Sequence, residues 1–184
     1  MQYNARFFGT IRTFHYEDMP TLIQIQRLAA QEDGVESLDD FETWLTDSAL
    51  DATINAFVVT DDDDELNTWG QAGTLEGIEG EIVGYTVVQV RQNEEGYHLL
   101  CQGTVHPAYR HRNAGRALLI CALNRARVLA EEFEFEAEQA GIPVHFEALL
   151  PARDPASAHL AARCEMVLVD EVAPDGMLLY RSVL

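Results

Sequence analysis

Two segments, Glu81–Val90 (EIVGYTVVQV) and Tyr97–Val105 (YHLLCQGTV), are almost continuously apolar, and only six residues separate them. A strand with one wet face alternates apolar and polar residues, whereas a continuous run has both faces covered. The pair therefore reads as two central strands joined by the turn Gln92–Gly96, with helices packed against the sheet. Gly103, inside the second run, marks a bulge or a close approach of another backbone. Pro107 follows, then the polar loop HPAYRHRNAG, then a helix from about Ala114 to Gln139. Leu119, Leu123, Ala126, Ala130 and Phe133 line one face of that helix.

The remaining elements fit around this unit. Phe8–Thr13 reads as a short strand. A helix follows, opened by Glu17 or Asp18 and Pro20, with Leu22, Ile25, Leu28 and Ala29 on its apolar face. Ser37-Leu38-Asp39-Asp40 resembles a capping box before a helix that carries Leu38, Phe41, Trp44 and Leu45. Asn55–Thr60 is a strand, and residues 61–80 form a long, polar, acidic hairpin loop. After Gly141-Ile142-Pro143 come a strand over Val144–Leu150 and a short helix from Asp154-Pro155. A final hairpin, Val167–Val172 and Met177–Val183, turns at Pro174-Asp175-Gly176. This order predicts an α/β (α+β) fold with a mixed, mostly antiparallel sheet, one or two parallel crossovers and flanking helices. Residues 1–184 read as a single domain, a length that also suits one half of a tandem protein.

With 31 acidic against 12 basic residues the formal net charge is -19, which repels nucleic acid and anionic lipid. The same field suits either a cationic acceptor or simply a solvated acidic surface. No apolar run is long enough for a membrane helix and no signal peptide is evident, so the chain reads as cytoplasmic. Cys101, Cys121 and Cys164 are odd in number and widely spaced, which fits buried reduced thiols. His15, His106, His111 and His159 show no ligand spacing, and no metal site is expected. A homodimer is compatible with the sequence.

The informative chemistry lies in Gly103–Leu118, GTVHPAYRHRNAGRAL. A strand, a proline, an arginine-rich loop and a helix N-terminus follow in immediate succession. Helix starts expose unpaired N–H groups and a partial positive charge, which suits a pyrophosphate. Gly115 admits an anion close to the backbone. Arg110, Arg112 and Arg116 reverse the local sign in a chain that contains no lysine. The same residues also suit an ordinary turn with solvated arginines. P-loop and G-x-G-x-x-G patterns are missing.

Val105-x-Pro107-x-x-Arg110 followed by N-A-G-R-A-L resembles the acetyl-CoA-binding motif of the GNAT superfamily, V-x-P-x-x-R-x-x-G-x-G-x-x-L, with Asn113 at its first glycine. Residues 154–166 resemble that family's N-x-x-A-x-x-L-Y-x-x-x-G-F helix. Asp154 stands at the asparagine, Ala161 at the tyrosine and Glu165-Met166 at Gly-Phe.

The resemblance implies an N-acyltransferase that moves an acetyl group from acetyl-CoA to an amine of a small molecule or peptide. It places the cofactor against Thr104, Val105, Arg110, His111, Arg112, Asn113, Ala114, Gly115 and Arg116. It places the acceptor in variable loops, here residues 31–50 and 61–80. Deprotonating an ammonium acceptor needs a base. His145 and Glu147, two residues apart on one strand, share a side and are candidates, as is His98 on the neighbouring strand. Each is equally a satisfied polar residue. The replaced tyrosine opens a second reading, a CoA-binding or structural domain without turnover.

Overall fold

The computed structural model describes residues 9–37, 40–61, 80–169 and 176–184. Within them the chain runs β1 (Ile11–Thr13), α1 (Met19–Asp33), α2 (Phe41–Leu45), α3 (Ala52–Asn55), β2 (Ala56–Asp61), β3 (Glu81–Asn93) and β4 (Gly96–Val105). It continues as α4 (Ala114–Glu131), α5 (Glu134–Ala140), β5 (Val144–Pro151), α6 (Ala156–Arg163), β6 (Val167–Leu168) and β7 (Met177–Val183). Seven strands form one sheet in the order β1-β2-β3-β4-β5-β7-β6. Only β4 and β5 pair in parallel; every other neighbouring pair is antiparallel.

Both sheet faces are covered, as the continuous apolar runs demand. On one face Phe14, Leu22, Ile25, Phe41 and Leu45 pack against Val58, Tyr85 and Val87. On the other, Leu119, Ala122, Ala126 and Leu129 of α4 pack with Val88, Leu99, Cys101, Phe146 and Ala148. Of the expected α1 face, Leu22, Ile25 and Ala29 are buried, but Leu28 points to solvent and Gln26 is buried instead.

The helix expected over residues 114–139 is two helices. Glu132 and Phe133 tighten the backbone with bonds to Leu129 and Ala130, and the Phe133 ring stacks on Tyr97 with centroids 4.7 Å apart. That stacking redirects the chain into α5. The short α3 lies just before β2, and its Asn55 amide ties back to the Leu50 carbonyl at 2.7 Å. Phe8, the Leu38-Asp39 part of the capping box, the acidic loop over residues 62–79 and the hairpin turn at 170–175 lie outside the described residues.

α6 ends in a left-handed residue that is not glycine. Met166 N–H donates to Ala161 O and Glu165 N–H to Ala162 O, while Glu165 adopts φ 58. This hydrogen-bond pattern is the Schellman motif, whose left-handed position glycine normally fills. Glu165 occupies the place where the resemblance puts glycine, and Met166, 5% exposed, fills the core position of the phenylalanine.

Candidate active site

A groove opens where β4 and β5 part. Their ladder runs from Tyr97/Val144 to Cys101/Ala148 and stops, although β4 continues to Val105 and β5 to Pro151. Residues of α4 and α6 line the gap, which encloses about 350 Å³. Backbone groups on the free strand ends still need partners. His106 N–H donates to the Val83 carbonyl across β3 and β4 at 2.7 Å. Antiparallel alternation then turns the Thr104 backbone toward β3, and the backbones of Gly103 and Val105 toward the gap. The Val105 carbonyl there accepts from Arg110 Nε at 3.2 Å. Gly103 is glycine for a packing reason, because a Cβ would run into the Tyr85 carbonyl.

Beyond β4 the loop passes through two left-handed residues, His111 (φ 63) and Asn113 (φ 68). Asparagine tolerates this conformation better than most side chains, which explains how Asn113 replaces glycine. Asn113, Gly115 and Arg116 line the groove, whereas Ala114 is 1% exposed and packs into the core beside Leu118.

The three loop arginines have different surroundings. Arg110 grips Asp33, the last residue of α1, through Nη1–Oδ1 (2.6 Å) and Nη2–Oδ2 (2.9 Å). With Nε on Val105 O, its guanidinium braces the loop from within. Arg112 is exposed, stacks over the Tyr109 ring at 5.4 Å and stands 3.9 Å from Asp61. Arg116 is exposed at the groove.

His98, His145 and Glu147 are brought together, but not in the groove. His98 alternates with Leu99 and Cys101, which pack toward α4, so the trio lies on the opposite sheet face. His98 Nδ1 is 2.9 Å from Glu147 Oε1, and its Nε2 is 3.0 Å from Asn93 Oδ1. Arg181 Nε donates to the same Glu147 oxygen at 2.7 Å. The His145 ring lies 5.5 Å from that of His98, and its buried Nδ1 has no hydrogen-bond partner among the described residues. Burial, then the charges of Arg181 and His98, push the His145 pKa below its ordinary 6.5. Ala148, the neighbour of Glu147, is where the groove lining begins on β5.

The groove also contains residues that sequence reasoning passed over. Ala156, His159, Leu160 and Arg163 of α6 line it. Their spacing is that of one helix face, a signal present in the sequence, although spacing alone does not say which face of α6 meets the groove. Ala161 at that position is fully buried in the core. Cys101 lies on the lining too, with its thiol 3.2 Å from Thr86 Oγ1; burial pushes its pKa up to about 12, which keeps it protonated and unreactive. Among the described residues Tyr85 is the one tyrosine on the lining. Among them also, no cluster of three or more His, Cys, Asp or Glu is placed to hold a metal, and no helix is long and apolar enough to cross a membrane.

No curated protein matches the chain by sequence. Solved structures match it by fold. A GNAT superfamily phosphinothricin acetyltransferase from Sinorhizobium meliloti, in complex with AcCoA, gives a TM-score of 0.63 at 16% identity, covering 96% of this chain and 88% of that one. NAA60 of Arabidopsis thaliana, in complex with a bisubstrate analogue, gives 0.60 at 15% identity, with 96% and 98% covered. The ribosomal-protein-S18-alanine N-acetyltransferase of Escherichia coli gives 0.53 at 15% identity, with 96% and 94% covered. Such identities speak for the fold alone. The profile of the Acetyltransferase (GNAT) family matches residues 22–145, from α1 to the start of β5. With the parted strands and the arginine-rich turn between them, that match makes the chain a member of the GNAT acetyltransferase family.

Proposed function

We propose that the chain transfers an acetyl group from acetyl-CoA to an amine on a small molecule or peptide. One observation carries this reading. Gly115 stands in the first turn of α4, outside the left-handed region, and a Cβ there would meet only Val105 Cγ2 at 3.8 Å. A helical glycine costs about 1 kcal/mol relative to alanine. The fold has no need of it, but a pyrophosphate lying against the helix N-terminus does.

When bound, acetyl-CoA supplies an acyl group activated as a thioester. The α4 N-terminus and Arg116 hold its phosphates. The N–H groups of Gly103 and Val105 bond the pantetheine arm and polarise the thioester carbonyl. Leu118, Leu119 and Leu160 wall the groove against water. His145 suits the base best of the three candidates. Its lowered pKa leaves the ring neutral at pH 7, able to take the acceptor's proton through a water.

A second reading, CoA binding without turnover, has its own support: Ala161 has no proton to give, and none of His98, His145 and Glu147 lines the groove. Calorimetric titration with CoA, run beside a thiol-release assay over a panel of amines, separates the two. Saturable binding with turnover of at least one amine is expected. Binding without any turnover selects the second reading, and absence of binding overturns both.

A further inference from the structure

The gap between β4 and β5 passes through the sheet. Ala148 and Leu150 belong to the core under α4, Leu149 and Pro151 alternate with them onto the α1 side, and all four line the gap. Tyr85 lines it as well and packs on the α1 side with Leu22, Ile25 and Phe41. It is 4% exposed, yet its hydroxyl bonds to nothing among the described residues. Gln26 of α1, next to Ile25, is 8% exposed, and its side-chain amide is likewise without a partner among them. Asp33 lies two helical turns beyond Gln26 on the same face of α1 and grips Arg110, so this is the face of α1 that meets the groove loop. Buried hydroxyls and amides are nearly always hydrogen-bonded, and two partnerless ones in one layer need a reason. Neither is sealed into the core, because neither is among the partnerless polar atoms cut off from open space.

We infer that Tyr85 and Gln26 form the polar part of the acceptor site, and that the acceptor is an amine carrying an uncharged hydrogen-bonding group, an amide or a hydroxyl, a few bonds from its nitrogen. The inference rests on the proposed acetyl-CoA reading. A thioester walled by Leu118, Leu119 and Leu160 on the α4 side leaves the α1 side open to the attacking amine. Both residues stand outside 31–50 and 61–80, where the resemblance puts the acceptor. Burial pushes the Tyr85 pKa up, so the phenol keeps its proton and acts as a donor. The Gln26 amide can donate or accept. The charged groups bordering this layer are paired, Arg110 with Asp33, and Arg181 and His98 with Glu147, so neither cluster offers a free cation to an acceptor carboxylate or phosphate. A net charge of -19 disfavours such anions at longer range. Arg153, exposed beside Gly34 at the end of α1, would favour a carboxylate instead, an outcome the test includes.

The test measures kcat/KM with acetyl-CoA for glycinamide, ethanolamine, glycine and propylamine, amines of similar size, with rates expressed per free amine. The wild type is expected to favour glycinamide or ethanolamine over both glycine and propylamine by about tenfold or more, because a site that bonds a polar group rejects the analogue lacking it. In Tyr85→Phe, Gln26→Leu and the double variant that preference should shrink, most in the double variant, while CoA affinity holds. Urea denaturation supplies a readout apart from activity. The variants should be at least as stable as the wild type, since a partnerless buried polar group adds nothing to the fold. A loss of stability in either single variant reveals a partner within the fold and overturns the inference. So does an undiminished preference in the double variant, or a wild type that uses glycine or propylamine as well as the polar neutral amines; each leaves the acetyl-CoA reading standing. Turnover of none of these amines, nor of any in the wider panel, removes the acetyl-transfer reading and this inference with it.

Discussion

Asp33 and Arg110, 77 residues apart in sequence, meet in a two-pronged ion pair of 2.6 and 2.9 Å that fastens the end of α1 to the arginine-rich loop. Their side chains are 7% and 14% exposed. The first arginine of the motif thus braces the turn on which a phosphate would rest. This contact of opposite charges couples α1 to the groove loop.

Removing either partner leaves a largely buried charge without compensation. Asp33→Ala should destabilise the fold by about 2 kcal/mol, less than a fully buried pair because its edge is wet. Asp33→Ala/Arg110→Ala should be more stable than the sum of the single losses predicts. Urea denaturation of the four proteins measures the coupling; strict additivity would mean that the pair contributes nothing.

Gly115 separates folding from binding. A methyl group there contacts only Val105 Cγ2 at 3.8 Å, so Gly115→Ala should raise stability by about 1 kcal/mol. The same methyl lies where phosphate oxygens approach the helix, so CoA affinity should fall. Gly115→Glu should weaken it far more than Arg116→Ala, since it adds both bulk and negative charge. Asn113→Gly should be neutral for binding, because the left-handed φ of 68 is kept without strain. Melting scans and calorimetry on the same samples decide; a Gly115→Glu protein that folds and binds CoA normally removes the pyrophosphate from this turn.

Tyr97 donates to Glu136, Tyr109 to Glu81, and Tyr180 is buried in the core, so none of the three reaches the groove. Their phenylalanine variants should keep turnover within about twofold, since no transition-state contact is removed. Loss of turnover with CoA binding intact in any one of them would identify a displaced proton donor.

His145 sets the expected pH profile. Its pKa is lowered from 6.5, chiefly by burial, so the ring loses its proton below that pH and is the free base at neutrality. Turnover should therefore rise with pH through a midpoint under 6.5 and level off near 7. His145→Gln should flatten that acid limb while CoA affinity stays put. A limb unchanged in the variant assigns it to another group.

Glu165 holds φ 58 at the end of α6, where a side chain is strained. Glu165→Gly should stabilise by about 1 kcal/mol without touching the groove. Chemical denaturation checks the sign directly.

The sequence by itself determined the central strands, the turn that follows them and the helix that begins at Ala114. These depend on local rules: continuous apolar runs, a proline, an asparagine that tolerates a left-handed φ, and apolar residues at helical spacing. It also placed Gly115 and Val105 where the groove is. Tertiary structure alone decided how the charges are used. Arg110 faces Asp33 because α1 returns across the sheet to the loop, which no spacing along the chain encodes. His98, His145 and Glu147 share a face by alternation, yet whether that face meets the gap depends on where the β4–β5 ladder stops, at Cys101/Ala148. The break after Glu131 likewise depends on Tyr97, a residue from another strand. Local geometry is written in neighbouring residues, whereas an ion pair or a parted strand is a property of elements distant in sequence, and only the folded chain brings them together.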